Sequence, residues 1–140
     1  MNNILIDTDV ILDFYLDRKP FAEKSTRIIS LCESRVTMGY VTPVICSNLY
    51  YILRQTAGHE KVMDKLGKLL TVLDVLLMDR NSVLQAIDSG FKDYEDALQY
   101  CAASQSGKID IIITWNIKDF QKSEISVLTP DDYLKIIEKE

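Results

Sequence analysis

The sequence contains one histidine, His59, set in the polar stretch 55–60. That scarcity argues against a Ser/His/Asp triad and against a histidine-rich zinc site, since both need imidazole. The five glycines, Gly39, Gly58, Gly67, Gly90 and Gly107, stand apart from one another, so there is no glycine-rich loop to cradle a phosphate. No apolar run approaches the ~18 residues of a membrane span. The opening MNNILID has no basic region followed by a long apolar core. The expectation is a soluble, cytoplasmic protein without a membrane partner. Cysteine is sparse as well: Cys32, Cys46 and Cys101 are odd in number, widely spaced and embedded in apolar helical patterns. They read as buried thiols in a reducing compartment. Basic side chains are outnumbered, 16 Lys and Arg against 21 Asp and Glu. A net charge of −5 argues against general adhesion to nucleic acid, so any such contact must be local.

What is present is apolar material in alternating periods. With 47% hydrophobic residues over 140 positions, the chain suits one domain, 1–140, with a real core. Ile4, Leu5 and Ile6 read as a buried strand. Val10, Ile11, Phe14 and Tyr15 follow at helical spacing, and a second helix carries Ile28, Ile29, Leu31 and Cys32. Met38, Tyr40 and Val41 suit a second strand, and Thr42–Pro43 is a helix-start signal. Two helical patterns follow, the first on Ile45, Leu49, Ile52 and Leu53 and the second on Val62 to Leu73. Val75, Leu76 and Leu77 resemble a short buried strand, and a helix from about Ser82 is expected to bury Val83, Ala86 and Ile87 before Gly90 ends it. Ile111, Ile112 and Ile113 give another strand, Val127 and Leu128 an edge strand, and Thr129–Pro130 opens a last helix. Strands alternating with helices predict an α/β fold, a parallel sheet covered on both faces.

The chemistry concentrates at strand ends. Asp7, Thr8 and Asp9 follow the first strand; Thr114, Trp115 and Asn116 follow the triple isoleucine, with Asp119 just beyond. Open α/β sheets bind ligands at the carboxyl ends of their strands. Asp7, Asp96, Asn116 and Asp119 can converge there, and carboxylates forced together require a cation. Hard oxygen donors without imidazole select Mg²⁺ or Mn²⁺, and the matching reaction class is metal-assisted phosphodiester hydrolysis. Plainer roles stand beside these. Asp93, three residues before Asp96, reads first as a helix N-cap, and Asp96 serves equally as a ligand or as a structural acid. Asp7, Thr8 or Asp9 each suits the cap of the first helix. Asn116 suits a turn and Asp119 a solvated surface.

The segments ILIDTDVILD, TPVICSNLYYILR, DYEDALQYCAA and IIITWNIKDF together resemble the PIN-domain family, in order and spacing, over nearly the whole chain. The resemblance implies a compact three-layer α/β/α domain with a short central parallel sheet and a Mg²⁺- or Mn²⁺-dependent nuclease. Many such domains are ribonuclease toxins of toxin–antitoxin pairs, which implies an RNA substrate, an antitoxin partner and a homodimer. It also makes Asp7 and Asp96 metal ligands, Asn116 the acid-or-amide position and Asp119 an acidic neighbour, with Thr8 and Thr114 as orienting hydroxyls.

Two positions depart from the family pattern. Where members carry a metal-binding glutamate on the third helix, this chain has Ser47, Asn48 and Leu49, and Asn48 brings an amide oxygen without charge. Asp93 or Asp9 is the expected compensation. Trp115 replaces an arginine, so that a phosphate contact is lost or exchanged for stacking on a base. Arg18, Lys92, Lys118 and Lys122 are the candidates for guiding a phosphate backbone. Two other readings follow from the same residues: a catalytically weak or inactive PIN-like binding module, and an aspartate-nucleophile phosphatase, whose first motif the run IDTDV also resembles.

Overall fold

In the computed structural model, which describes residues 1–139, the chain starts in the middle of its own sheet. Strand β1 (Asn3–Ile6) lies between β2 (Met38–Val41) and β4 (Ile111–Ile113); β3 (Leu73–Val75) and β5 (Ser126–Leu128) form the edges. The order is β3-β2-β1-β4-β5 and every pairing is parallel. Ile4, Leu5 and Ile6 are fully buried, as are Ile112 and Ile113, because a central strand has helices against both faces. An unbroken apolar run is the sequence form of that environment.

Among the described residues six α-helices lie between strands and a seventh follows the last one: α1 (Thr8–Tyr15), α2 (Ala22–Glu33), α3 (Pro43–Leu53), α4 (His59–Leu69), α5 (Arg80–Asp88), α6 (Tyr94–Ser106) and α7 (Pro130–Glu138). From β1 the chain steps outward to β2 and β3, then returns across the sheet to β4 and β5. Right-handed crossovers running in opposite directions place their helices on opposite faces, giving three α/β/α layers. Accordingly α1, α2 and α7 pack together, α3 packs on α1 and α4, and α5 pairs with α6. Thr42 caps α3 by accepting from the Ile45 N–H at 3.1 Å, with Pro43 in the first turn.

Gly39 permits the close approach of α2 and β3, since a Cβ there would lie 2.4 Å from Leu73 Cδ2 and 2.6 Å from Cys32 Sγ.

Several expectations shift. The third strand is Leu73–Val75, not 75–77, and Leu77 is 91% exposed. Helix α5 begins at Arg80 through a capping box between Asp79 and Ser82, and it buries Ala86 while Val83 and Ile87 face outward. A helix at the outer layer needs only one narrow apolar stripe, so apolar residues beside that stripe stay in solvent. Cys32 and Cys101 are buried, whereas Cys46 is only half-buried. His59 starts α4, with Nδ1 2.8 Å from the Tyr50 hydroxyl. A 3₁₀ turn, Ile117–Phe120, follows β4. Among the described residues, no helix is long and apolar enough to cross a membrane.

Candidate functional site

The sheet reverses its direction of winding between β1 and β4, and the crevice at such a reversal is where open α/β sheets hold ligands. The β1–β4 register fixes which side chains arrive there. Ile6 pairs with Ile113, and the Asp7 N–H donates to the Ile113 carbonyl at 3.0 Å, so Asp7 and Thr114 emerge side by side.

Asp7 is 7% exposed and is the N-cap of α1. Its Oδ1 accepts from the Thr8 N–H at 2.8 Å and its Oδ2 from the Thr114 hydroxyl at 2.8 Å. The buried side chain of Gln99 lies near enough to favour the charged carboxylate slightly. Burial still raises the carboxyl above its usual range, against the pull of Thr114 and Thr8. The Thr114 hydroxyl in turn accepts from the Asn116 N–H at 3.1 Å, which fixes the hydroxyl's direction. Thr8 acts only through its backbone; its hydroxyl is buried without a partner, as is Gln99 Oε1.

Asp96 sits in the first turn of α6, whose N-cap is Asp93, with Asp93 Oδ1 accepting from the Asp96 N–H at 3.0 Å. The capping role expected for Asp93 is therefore realised. Asp96 is half-buried and its carboxyl is pushed up to about 7, by burial first, then by the charges of Asp7, Asp93, Asp119 and Glu95. Residues from β1, α6 and the 3₁₀ turn thus share one electrostatic field. None of these acids takes part in an ion pair among the described residues. Asn116 and Asp119 are exposed at the rim; the Asn116 amide donates to Asp9 Oδ2 at 3.3 Å.

Three residues were missed as participants. Glu95 lies opposite the family's missing acid: Asn48 Nδ2 donates to Glu95 Oε2 at 3.1 Å. Gln99 carries no sequence signal except its place three residues after Asp96. Asp13 is 3% exposed, accepts from the Trp115 indole N–H at 2.7 Å and lies 3.6 Å from Arg18. Trp115 also packs on Phe21, ring centroids 5.0 Å apart. The indole N–H and one face of the ring are therefore engaged within the fold, by Asp13 and Phe21.

The donor chemistry suits a hard divalent ion: carboxylate oxygens without a cation, flanked by buried unpartnered oxygens on Thr8 and Gln99. Among the described residues no three Asp, Glu, His or Cys side chains already stand at mutual ligand spacing.

The sequence profile of the PIN domain matches residues 3–118. The chain belongs to the PIN-domain family. It is 25% identical over 135 residues to ribonuclease VapC1 of Aquifex aeolicus, covering 93% of this chain and 92% of that protein. Its fold is shared with VapBC-1 from nontypeable Haemophilus influenzae, with a TM-score of 0.68, 16% identity and coverage of 92% and 98% of the two chains. DNA-bound VapBC from Salmonella typhimurium has a TM-score of 0.67 at 18% identity, covering 93% and 99%. Membership of the PIN family also sets aside the aspartate-nucleophile phosphatase reading of the IDTDV run.

Proposed function

We propose that residues 1–140 act as one Mg²⁺- or Mn²⁺-dependent endoribonuclease domain on single-stranded RNA, as the toxin of a toxin–antitoxin pair. The observation that carries this reading is the placement of acids from separate elements at the switch point of the sheet: Asp7 at the end of β1, held by Thr114 from the end of β4, and Asp96 in the first turn of α6, raised in part by the Asp7 charge. Likeness to a ribonuclease and to VapBC assemblies supports the RNA substrate and an antitoxin partner. A homodimer and a cytoplasmic location belong to the same reading.

Asp7 and Asp96 are the principal ligands, with Asn116 and Asp119 completing the rim and Asp93 within reach beyond its cap. A bound divalent ion supplies a water of lowered pKa and neutralises charge that builds on the phosphodiester. The Thr114 hydroxyl and the Thr8 N–H hold the Asp7 carboxylate in one orientation. Asn48 orients Glu95, which brings from α6 the negative charge that α3 lacks. Asp9 is held by Asn116. The Glu95 charge is what a catalytically weak or inactive module would lack, and it favours the nuclease reading over that alternative.

The test is cleavage of a single-stranded RNA pool by purified protein with Mn²⁺ or Mg²⁺, beside EDTA and Asp96→Asn controls. Cleavage that needs the metal and disappears in Asp96→Asn supports the reading. Equal product in all lanes, or none with any RNA, defeats it.

A further inference from the structure

The acid cluster has a cationic neighbour. Where α5 ends and α6 begins, the chain faces the 3₁₀ turn across a cleft of about 290 Å³ whose walls include Phe91, Lys92, Asp93, Lys118, Asp119 and Lys122. Three ammonium groups and two carboxylates line it, a local excess of positive charge in a chain of net charge −5. None of the ion pairs among the described residues involves these lysines. Gly90 makes room for one of them: its φ is +76°, and a Cβ there would lie 2.6 Å from Lys122 Nζ. Phe91 stacks on Tyr100 at 5.2 Å and meets Phe120 edge-on at 6.2 Å, so it is a fixed wall between α6 and the turn.

The location matters as much as the charge. Asp93 and Asp119, on the cleft wall, are two of the acids that raise Asp96. A polyanion approaching Asp7 and Asp96 meets repulsion unless cations beside them hold the strand. Lysines act here as point charges, gripping phosphate without reading sequence. Arg18, the fourth candidate from the sequence, is turned toward Asp13 at 3.6 Å and does not line the cleft.

We infer that this cleft is a phosphate subsite: Lys92, Lys118 and Lys122 hold backbone phosphates of single-stranded RNA next to the one presented to Asp96. The inference rests on the nuclease reading for where the cut falls, while strand binding itself is measurable without cleavage.

The experiment uses the full chain carrying Asp96→Asn, a fluorescein-labelled 12-nucleotide single-stranded RNA, and Mg²⁺ buffer. Anisotropy is read for this parent and for Lys92→Gln, Lys118→Gln, Lys122→Gln and their combination. The triple change is expected to lower affinity roughly tenfold at 0.1 M salt and to flatten the slope of log K against log[salt] by about 2, three contacts at ~0.7 each. Melting temperature should not move. A parent that binds no RNA, or a triple variant with the parent's affinity and slope, overturns the subsite. Loss of binding in the triple variant together with no cleavage by the unsubstituted chain leaves the subsite standing and removes the nuclease reading. Metal-dependent cleavage with unchanged binding in the triple variant does the reverse.

Discussion

Asn48 on α3 and Glu95 on α6 are joined by a 3.1 Å hydrogen bond from the amide nitrogen to the carboxylate. The pair places a carboxylate from one helix against the position where the family's glutamate stands on another. Orienting partners of a ligand typically change metal affinity 10- to 100-fold. Glu95→Gln is therefore expected to weaken Mn²⁺ binding by about tenfold in calorimetric titration. The exchanged pair Asn48→Glu with Glu95→Gln should bind Mn²⁺ close to the unsubstituted level, because the charge has only crossed the contact. Equal affinity in Glu95→Gln and the unsubstituted chain would exclude Glu95 from the site.

Thr114 is fully buried and its hydroxyl serves both Asp7 and the Asn116 amide. Thr114→Val keeps the shape and removes the donor, leaving a buried carboxylate short of one hydrogen bond. The cost is about 1–3 kcal/mol, seen as a melting temperature lower by roughly 3–9 °C. Thr114→Ser should retain most of the stability. A Val variant as stable as the Ser variant would mean that the hydroxyl does not carry Asp7.

The Asp96 carboxyl stands at about 7 in the folded chain against 3.8 as its ordinary value. Between those values the folded state holds a proton that the unfolded state has released, so metal-free stability falls as pH rises from about 4 to about 7. Asp96→Asn removes that loss. At pH 8 in EDTA it should melt higher than the unsubstituted protein, by roughly 1 kcal/mol once solvent screening of a half-buried group is allowed for. At pH 4 the two should converge. Added Mn²⁺ should raise the melting point of the unsubstituted chain and leave Asp96→Asn nearly unmoved. The same melting point for both at pH 8 would contradict the crowding of charge around Asp96.

Trp115 supplies a hydrogen bond to buried Asp13 and an aromatic contact to Phe21. Trp115→Phe should lower stability by about 1–2 kcal/mol, measured by urea unfolding, with RNA affinity unchanged. Weaker RNA binding at unaltered stability would return the indole to the substrate.

Much of the site could be read from one dimension. Asp7 directly follows Ile4, Leu5 and Ile6, Thr114 directly follows Ile111, Ile112 and Ile113 with Asn116 two residues on, and a strand end delivers the next side chain to the sheet's carboxyl edge whatever the partners are. Asp93 and Asp96 reveal their cap by spacing alone. Leu77 and Ile87 misled because apolarity was taken for burial, and neither packs under a second layer.

The sequence by itself determined the period of each segment, the family and the identity of the strand-end acids, since these depend on local residue order and on backbone geometry that repeats every two or 3.6 positions. Only the tertiary structure decided that Glu95 meets Asn48, that Trp115 turns inward to Asp13, and that Lys92, Lys118 and Lys122 share one cleft. Those are contacts between segments distant in the chain, set by the order of strands in the sheet and the packing of helices across it, and no local pattern carries that information.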